Sequence, residues 1–330
     1  LTFRSGGTSL SGQASGDGLM VDTRRNFKKI EVLDGGKRVR VQPGATVMAV
    51  NNMLAPYGYK LGPDPASWSA CTIGGGGANN SSGMSSGTEF NTYNTLESMV
   101  FVLPSGTVID TSAPDADDRL RALEPEIHEG LLRLRKRVVE NPESVARIRQ
   151  QYSMKNTMGY GVNSLLDYSA PVDILQHLLI GSEGTLGFVA SATYRTLPIH
   201  KFVSTGLLVF DNLLDATRSV PELVANHLAT VELMDATSIR VAQRTGQAAE
   251  ALAAIAEVEI ESYANQMFEA GEDLTGRCAE DIFFADFKVF TFGDIRFGVS
   301  QSTFMTEKNR KMAEELVRPF LESAANRAGV

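Results

Sequence analysis

The sequence predicts an α+β fold in two parts, and three observations carry that prediction. Short strand-like segments alternate with amphipathic helical ones along the 330 residues. Three loops rich in Gly, Ser and Thr stand beside ordered segments, and after Pro198 the pattern changes to a β-α-β alternation. We therefore expect a first domain at residues 1–199 and a second at 200–330, the latter an antiparallel sheet with helices on one face.

Apolar spacing assigns the elements of the first part in order. Thr46 can cap a helix, Pro104-Ser105-Gly106 can turn a hairpin, and Pro125 can break a long helix. The apolar run at 174–180 is strand-like. The predicted strands are 19–22, 28–32, 38–41, 98–103, 107–110 and 188–197, and the predicted helices are 45–57, 115–139 and 144–152.

The second part continues with shorter elements. The pattern predicts a strand at 202–210, a helix at 212–227, a strand at 229–234, a helix beginning in 237–243 and a strand at 258–263. The Ala-rich stretch 248–256 fits either a helix or a loop. These strands are expected to build the antiparallel sheet.

The first small-residue loop, at 4–12, reads Arg-Ser-Gly-Gly-Thr-Ser-Leu-Ser-Gly. Glycines let consecutive backbone N–H groups turn toward one point, and the hydroxyls add donors there, which suits a pyrophosphate. The loop is neither a P-loop nor a Rossmann Gly-x-Gly-x-x-Gly turn. By itself such a loop is more often ordinary turn chemistry.

Two further loops favour a ligand. Residues 62–83 contain four consecutive glycines, 74–77, followed by Asn and Ser side chains. Residues 181–189 read Gly-Ser-Glu-Gly-Thr-Leu-Gly-Phe-Val and lead into a strand. Three such loops indicate one long ligand laid along them, whereas each alone fits a turn.

Together these strings resemble the FAD-binding domain of the vanillyl-alcohol-oxidase/PCMH flavoprotein superfamily. Within it they are similar to the FAD domain of FAD-linked D-lactate dehydrogenases of the FAD/Fe–S type and of glycolate oxidase-like 2-hydroxy acid dehydrogenases. The resemblance runs to about residue 240 and is carried by 3–14, 62–67, 155–159, 181–188 and 231–235. It implies a PCMH-type FAD-binding domain at 1–199 and, at 200–330, an α/β cap domain that shapes the substrate pocket and has a truncated C-terminal part.

The resemblance also implies the cofactor-binding residues. In several relatives a histidine at the position of Thr8 or Ser9 bonds covalently to the flavin, and none stands here, so we expect noncovalent FAD. The residues expected to contact FAD are Ser5, Gly6, Gly7, Thr8, Ser9, Pro63, Asp64, Ser67, Thr72, Gly74, Gly75, Asn79, Ser82, Gly83, Glu183, Gly184 and Leu186.

The implied activity is oxidation of D-lactate or a related D-2-hydroxy acid to the 2-oxo acid, with hydride transfer to flavin N5. Such an enzyme needs a cation for the substrate carboxylate and a base for its hydroxyl proton. Lys155, in the Lys-Asn-Thr-x-Gly string, and Arg296 are the catalytic candidates, although a surface lysine fits Lys155 equally. Arg240 and Arg244 would share one helix face and are more simply solvated charges.

Two other functions stay open. A relay flavoprotein subunit of a larger complex would carry electrons without turning over substrate, and a flavin transferase resembling alkyl-dihydroxyacetonephosphate synthase ranks third. The relay alternative is favoured by a departure from the family. The expected histidine motif falls at 292–301, where Asp294 and Arg296 replace its histidines. The four histidines of the chain are scattered, so a divalent metal is expected only if a histidine loop exists outside this sequence. The start at Leu1 suggests the same incompleteness.

Composition narrows the partners. A net charge of −8 argues against nucleic acid, and two cysteines cannot ligate an iron–sulfur cluster. No apolar run is long enough to span a membrane, and no signal peptide is visible. We expect a small 2-hydroxy acid as substrate and a quinone, cytochrome or Fe–S partner as electron acceptor. The expected location is cytoplasmic, with attachment to the periphery of the inner membrane as an alternative.

Overall fold

The computed structural model divides the chain into two compact units, Leu1–Ile199 and His200–Val330. It describes residues 1–9, 12–202, 206–210, 213–226, 228, 230–235, 238, 241, 281–282, 288–292 and 295–299. The predicted strand at 258–263 and the stretch 248–256 lie outside these residues.

A five-stranded antiparallel sheet forms the centre of the first unit. The strands of this unit are β1 (Thr2–Arg4), β2 (Met20–Asp22), β3 (Ile30–Leu33), β4 (Arg38–Val41), β5 (Tyr59–Lys60), β6 (Leu96–Val102), β7 (Val108–Asp110), β8 (Phe188–Arg195) and β9 (Leu197–Pro198). The central sheet has the order β3-β4-β8-β6-β7. β1 and β2 form a separate parallel pair, and β5 pairs with β9.

Helices of the first unit bury their apolar faces with this sheet in one core. They are α1 (Val47–Leu54), α2 (Ile73–Ala78), α3 (Thr92–Thr95), α4 (Ala116–Leu123), α5 (Pro125–Val139), α6 (Pro142–Tyr152), α7 (Ser164–Asp167) and α8 (Pro171–Leu179). Val39 and Val41 alternate with exposed arginines on β4, so one face of that strand points into the core. Phe101 of β6 and Ile174 of α8 are fully buried in the same cluster.

Local sequence chemistry sets the helix starts. The Thr46 hydroxyl accepts a hydrogen bond from the N–H of Ala49, as expected for a helix cap. Pro125 begins α5 and separates it from α4, which confirms the predicted break. Helices α6 and α8 also begin at proline, where the missing N–H has no intrahelical partner to lose.

Two segments differ from the sequence expectation. The run 174–180 was expected as a strand, but residues 174–179 lie in α8, most of whose residues are buried. Its polar residues Asp173, Gln176 and His177 recur at helical spacing, but Gln176 and His177 are buried, and the short apolar run beside them also fits a buried strand. The Gly74–Gly77 run was expected as loop and instead forms most of α2. Tertiary contacts override the low helix propensity of glycine there.

The second unit contains an antiparallel sheet, as predicted. Its described strands are β10 (Gly206–Phe210), β11 (Met234–Asp235), β12 (Asp281–Ile282), β13 (Lys288–Phe292) and β14 (Ile295–Val299), in the order β11-β12-β10-β14-β13. Helix α9 (Leu213–Ala225) follows β10 and buries Ala216 and Leu223. None of the described helices is both long and apolar enough to cross a membrane.

Candidate functional site: a cleft in the first unit

A cleft of about 410 Å³ lies within the first unit and is bounded by three segments that are far apart in sequence. They are the loop at 5–9, the segment 65–81 that contains α2, and the loop 182–184 with the start of β8. These are the three small-residue segments on which the sequence analysis based a long ligand. The structure therefore brings them together around one space.

Side-chain and backbone hydrogen bonds fix the loop at 5–9. The Gly6 N–H donates to Thr72 Oγ1 over 3.0 Å, and the Ser5 hydroxyl donates to the Pro43 carbonyl over 3.1 Å. A Cβ on Gly6 would lie 2.6 Å from the Ala70 carbonyl oxygen. Only glycine therefore allows the loop to approach the segment before α2 this closely.

Three residues of this loop that line the cleft have backbone donors without protein partners. In the described part of the chain, the N–H groups of Gly7, Thr8 and Ser9 make no hydrogen bond to protein. Gly7 has a φ of +67°, which turns the backbone in the way a nest of N–H groups requires. The Arg4 guanidinium packs beneath Gly7. The loop thus presents donors and positive charge.

Helix α2 supplies the floor of the cleft through two glycines that differ in surroundings. A Cβ on Gly74 would lie 2.5 Å from Cβ of Pro43, and the Gly74 N–H donates to the Pro43 carbonyl. A Cβ on Gly75 would meet only Thr72 Oγ1 at 3.6 Å and Ser5 Cβ at 3.9 Å. Gly74 is therefore required by protein packing, whereas Gly75 leaves space that a ligand can use.

The third segment docks on the other end of α2. The Gly181 N–H donates to the Gly77 carbonyl and the Glu183 N–H to the Ala78 carbonyl. The Asn79 side-chain amide donates to Glu183 Oε1 over 2.8 Å. These bonds hold the half-buried Glu183 at the cleft wall.

Aromatic and thiol side chains complete the wall. The rings of Phe3 and Phe188 stack with centroids 4.6 Å apart, and Phe27 contacts Phe188 edge-on at 5.4 Å. Phe3 and Phe188 line the cleft and give it a flat apolar surface. Cys71 also lines it, and burial raises the pKa of its thiol. At neutral pH the thiol is therefore protonated.

Twelve of the residues expected to contact FAD line the cleft, and five do not. Those that line it are Ser5, Gly6, Gly7, Thr8, Ser9, Ser67, Thr72, Gly74, Gly75, Asn79, Glu183 and Gly184. The Asp64 carboxylate accepts from the Ser85 N–H, and its backbone N–H donates to the Ser82 carbonyl. Gly83 forms a bridge with Asp64, Pro63 lies against a small separate cavity, and Leu186 packs against the core.

The two catalytic candidates belong to different units, and Lys155, the one in the first unit, is not among the residues that line the cleft. Lys155 is exposed, and its Nζ donates to the Gly83 carbonyl over 2.9 Å. Arg296 lies in β14 of the second unit, paired with Thr291. Asp294, Arg240 and Arg244 fall outside the described residues.

Two of the three histidines that the structure describes are buried in structural positions, and the third, His200, is exposed. His128 is buried, and its Nε2 lies 3.1 Å from Asp117. His177 is buried, and its ring nitrogens are within hydrogen-bond distance of the Tyr168 hydroxyl and the Asp173 carbonyl. None of the three lines the cleft, and no group of metal-ligating side chains occurs among the described residues.

Sequence reasoning missed several lining residues. Phe3, Phe188, Pro43, Thr23 and Cys71 are examples. Phe3 and Phe188 flank two of the recognised glycine loops, so their positions next to the motifs were a usable signal. Pro43 and Thr23 lie in segments without glycine motifs, and only the fold brings them to the cleft.

The donor set of the cleft fits FAD. Unpaired backbone N–H groups in a nest suit the diphosphate, and Arg4 adds a positive charge beside them. The space above Gly75 admits a close backbone approach, while the Phe3–Phe188 stack offers a surface for a flat ring. No histidine is among the described residues that line the cleft, and noncovalent binding stays a prediction.

Comparison with known proteins assigns the first unit. Residues 1–112 match the FAD binding domain family. A solved structure titled alkyldihydroxyacetonephosphate synthase shares the fold, with a TM-score of 0.55 and 16% identity over 98% of this chain and 46% of that chain. The first unit therefore contains a segment that matches FAD-binding domains, which supports FAD as the ligand of the cleft.

Two curated relatives extend the similarity beyond that domain. D-2-hydroxyglutarate dehydrogenase of Haemophilus influenzae is 27% identical over 248 residues, which are 74% of this chain and 24% of that enzyme. Glycolate oxidase subunit GlcD of Escherichia coli is 28% identical over 244 residues, 73% of this chain and 38% of the subunit. The domain resembles the FAD domain of such FAD-linked 2-hydroxy acid dehydrogenases, and the chain spans well under half of their length.

The end of the chain matches a different family. Residues 265–330 match the DHHA2 domain family. A probable manganese-dependent inorganic pyrophosphatase of Clostridium acetobutylicum is 33% identical over 100 residues, 30% of this chain and 32% of that protein. The segment 292–301, which the sequence analysis aligned with a histidine motif, lies inside the DHHA2 match. The comparisons thus match that segment to the DHHA2 family.

Proposed function

We propose that the protein oxidises a 2-hydroxy acid, with D-lactate or a related D-2-hydroxy acid as substrate, to the 2-oxo acid. The observation that carries this proposal is the FAD cleft on a domain resembling those of the two dehydrogenase relatives. In the reaction C2 loses a hydride and the hydroxyl group loses a proton. Bound FAD supplies the hydride acceptor.

In this proposal the residues of the protein bind FAD and the substrate and orient them. The N–H groups of Gly7, Thr8 and Ser9 hold the diphosphate, and the rigid contacts of α2 keep the flavin in place. Lys155 attracts the substrate carboxylate. Its Nζ is exposed and is anchored by one neutral carbonyl of Gly83, so it keeps donors for an anion.

Arg296 is the second candidate for binding the substrate carboxylate. It lies in the second unit and inside the family match of residues 265–330. Lys155 belongs to the unit that holds the cleft. We therefore assign the carboxylate to Lys155 first.

Anaerobic reduction tests the proposal. The purified chain is loaded with FAD and titrated with D-lactate, D-2-hydroxyglutarate and glycolate, each against its L enantiomer where one exists. Bleaching of the flavin bands by one of these acids, with an equal amount of 2-oxo acid formed, is the expected result. Flavin bands that persist with all three acids would contradict it.

A relay flavoprotein is the second candidate. It is favoured by the absence of a histidine from the cleft lining in the described residues and by the other family match at 265–330. Such a subunit would pass electrons to a quinone, a cytochrome or an Fe–S partner, in the cytoplasm or at the inner membrane face. Its FAD would be reduced by a chemical or protein donor but by no hydroxy acid. The transferase alternative has fold similarity alone in its favour.

The role of the second unit is a separate proposal. As a cap, residues 200–330 would cover the flavin and shape the substrate pocket. The DHHA2 match and the pyrophosphatase relative support a competing assignment for the last third of the chain, namely phosphoanhydride hydrolysis. Phosphate release from pyrophosphate with Mn²⁺ would support the second assignment. Hydroxy acid oxidation without phosphate release would support the cap.

A further inference from the structure

Glu183 adopts a backbone conformation that its side chain disfavours. Its φ is +53°, and the other non-glycine residues with positive φ in the described chain are Asp34 and Asn80. A glycine would adopt this conformation without strain. Strained non-glycine residues concentrate at functional sites, where the side chain is needed in spite of the backbone. Glu183 lines the FAD cleft, so a function of its carboxylate in the cleft would explain why a glutamate occupies this position.

The position is also electrostatically unfavourable for a carboxylate. The Glu183 N–H donates to the Ala78 carbonyl, at the carbonyl end of α2. Negative charge is disfavoured at that end of a helix. The only hydrogen bond found for the carboxylate in the described part of the chain comes from Asn79, and it makes no ion pair there. Asn79 thus fixes Oε1, and the carboxylate can still accept further hydrogen bonds from a ligand in the cleft.

The chemistry of this acceptor defines its ligand group. An ionised carboxylate only accepts hydrogen bonds, so it repels a phosphate oxygen and attracts a hydroxyl. The loop at 5–9 docks on Thr72, before α2, whereas Glu183 docks beside Asn79, after it. At 1.5 Å per residue these points are about 10 Å apart along the helix. A diphosphate at the loop therefore leaves Glu183 to contact the sugar-like part of the cofactor.

We propose that Glu183 accepts a hydrogen bond from a polyol hydroxyl of FAD and that Asn79 positions its carboxylate for this contact. FAD has such hydroxyls on both sides of its diphosphate, on the adenosine ribose and on the ribityl chain. The proposal rests on the cofactor and is independent of the substrate reaction. In this role Glu183 fixes the position of FAD along the cleft.

Binding of three ligands tests it and distinguishes the two hydroxyl sources. The dissociation constants of FAD, FMN and ADP are measured for the wild type and Glu183→Gln by calorimetry or flavin fluorescence. We expect Glu183→Gln to weaken FAD about tenfold, as loss of one charged hydrogen bond does. Equal weakening of ADP with unchanged FMN assigns the contact to the adenosine ribose. Equal weakening of FMN with unchanged ADP assigns it to the ribityl chain.

Glu183→Gly separates the contact from general damage. This variant removes the carboxylate but has a backbone that adopts the positive φ without strain, so the apoprotein should stay folded while FAD binds more weakly. Asp34→Gly is the matched control, since Asp34 has a φ of +48°, is exposed and lies outside the cleft lining. It loses only an exposed ion pair with Arg38 and should leave FAD affinity unchanged.

The outcomes are distinguishable. Wild-type FAD affinity in both Glu183 variants would overturn the proposal. If the wild type itself binds no FAD, the cofactor assignment fails instead. A hydroxy acid that does not reduce the flavin affects only the proposed reaction.

Discussion

The backbone N–H of Gly6 donates a hydrogen bond to Thr72 Oγ1, which joins two loops that are 66 residues apart in sequence. Thr72 is the residue before α2, yet its hydroxyl does not cap that helix. It accepts from Gly6 instead and is almost fully buried. One side chain therefore sets the distance between the N–H nest and the helix that forms the cleft floor.

Thr72→Ala should weaken FAD binding about tenfold, because the loop at 5–9 loses the acceptor that orients it. Thr72→Ser keeps the hydroxyl and should bind nearly as the wild type does. Fluorescence titration of the apoprotein with FAD measures both. Equal affinity of the Ala and Ser variants would show that the hydrogen bond does not position the loop.

Gly74→Ala and Gly75→Ala should have opposite effects, although both residues are in α2 and line the cleft. At Gly74 the new methyl group meets Pro43, so we expect the free energy of unfolding to fall by about 1–3 kcal/mol. At Gly75 no protein atom is that close, and alanine favours the helix by up to about 1 kcal/mol. Gly75→Ala should therefore stabilise the apoprotein and weaken FAD binding.

Urea unfolding and FAD titration of the two variants check this pair. A Gly75→Ala protein that binds FAD as tightly as the wild type would contradict the use of that space by the cofactor. A Gly74→Ala protein of unchanged stability would contradict the tight packing against Pro43.

His177 should make the first unit less stable in mild acid. Burial lowers the pKa of His177 from 6.5 to about 4, so the unfolded chain binds its proton more readily than the folded chain. This contribution to stability is complete above pH 6.5 and is lost as the pH falls toward 4. By pH 5 the loss amounts to about 2 kcal/mol.

Unfolding free energies at pH 7 and pH 5 measure this effect. His177→Gln should remove this part of the pH dependence, whatever its stability at pH 7. His200→Gln is the control, because His200 is exposed. The same pH dependence in the wild type and His177→Gln would refute the assignment.

Lys155→Met tests the carboxylate site of the proposed reaction. If Lys155 attracts the substrate, this variant should raise KM for the hydroxy acid about tenfold, with kcat changed less and FAD affinity unchanged. Lys155→Arg should fall between, since it keeps the charge and changes the donor geometry. Lys136→Met, in the exposed part of α5, is the control. A rise in the FAD dissociation constant instead would point to Lys155 as a support of the turn at Gly83.

Many helices and strands of the first unit could be predicted from the sequence because short local patterns mark where they begin and end. Alternation of valine and arginine predicted β4, and the turn residues at 104–106 predicted the β6–β7 hairpin. Pro125 predicted the boundary between α4 and α5. The errors arose where surroundings outweigh local preference. In α8 the polar residues Gln176 and His177 are buried, so a short apolar run that follows a helical period resembles a buried strand. In α2 packing of Gly74 on Pro43 stabilises a helix that glycines disfavour.

The cleft was predictable to the extent that glycine motifs mark it. Three loops were recognised, and the structure brings them around one space. Pro43 and Thr23 could not be found, since nothing in their own segments points to a ligand. Asp64 was expected at the cleft but has its carboxylate engaged at Ser85, a contact that depends on how the turn at Gly83 folds.

The three cleft segments have a consequence for the folding of the first unit. Loop 5–9, helix α2 and loop 182–184 meet only after the chain between them has closed into its sheet, so a partly folded chain has no complete cleft. FAD then binds the native state and not its precursors, which adds about 2.7 kcal/mol of stability when its concentration is a hundredfold above the dissociation constant. We therefore expect bound flavin to report the fraction of molecules with a native first unit, and added flavin to raise that fraction.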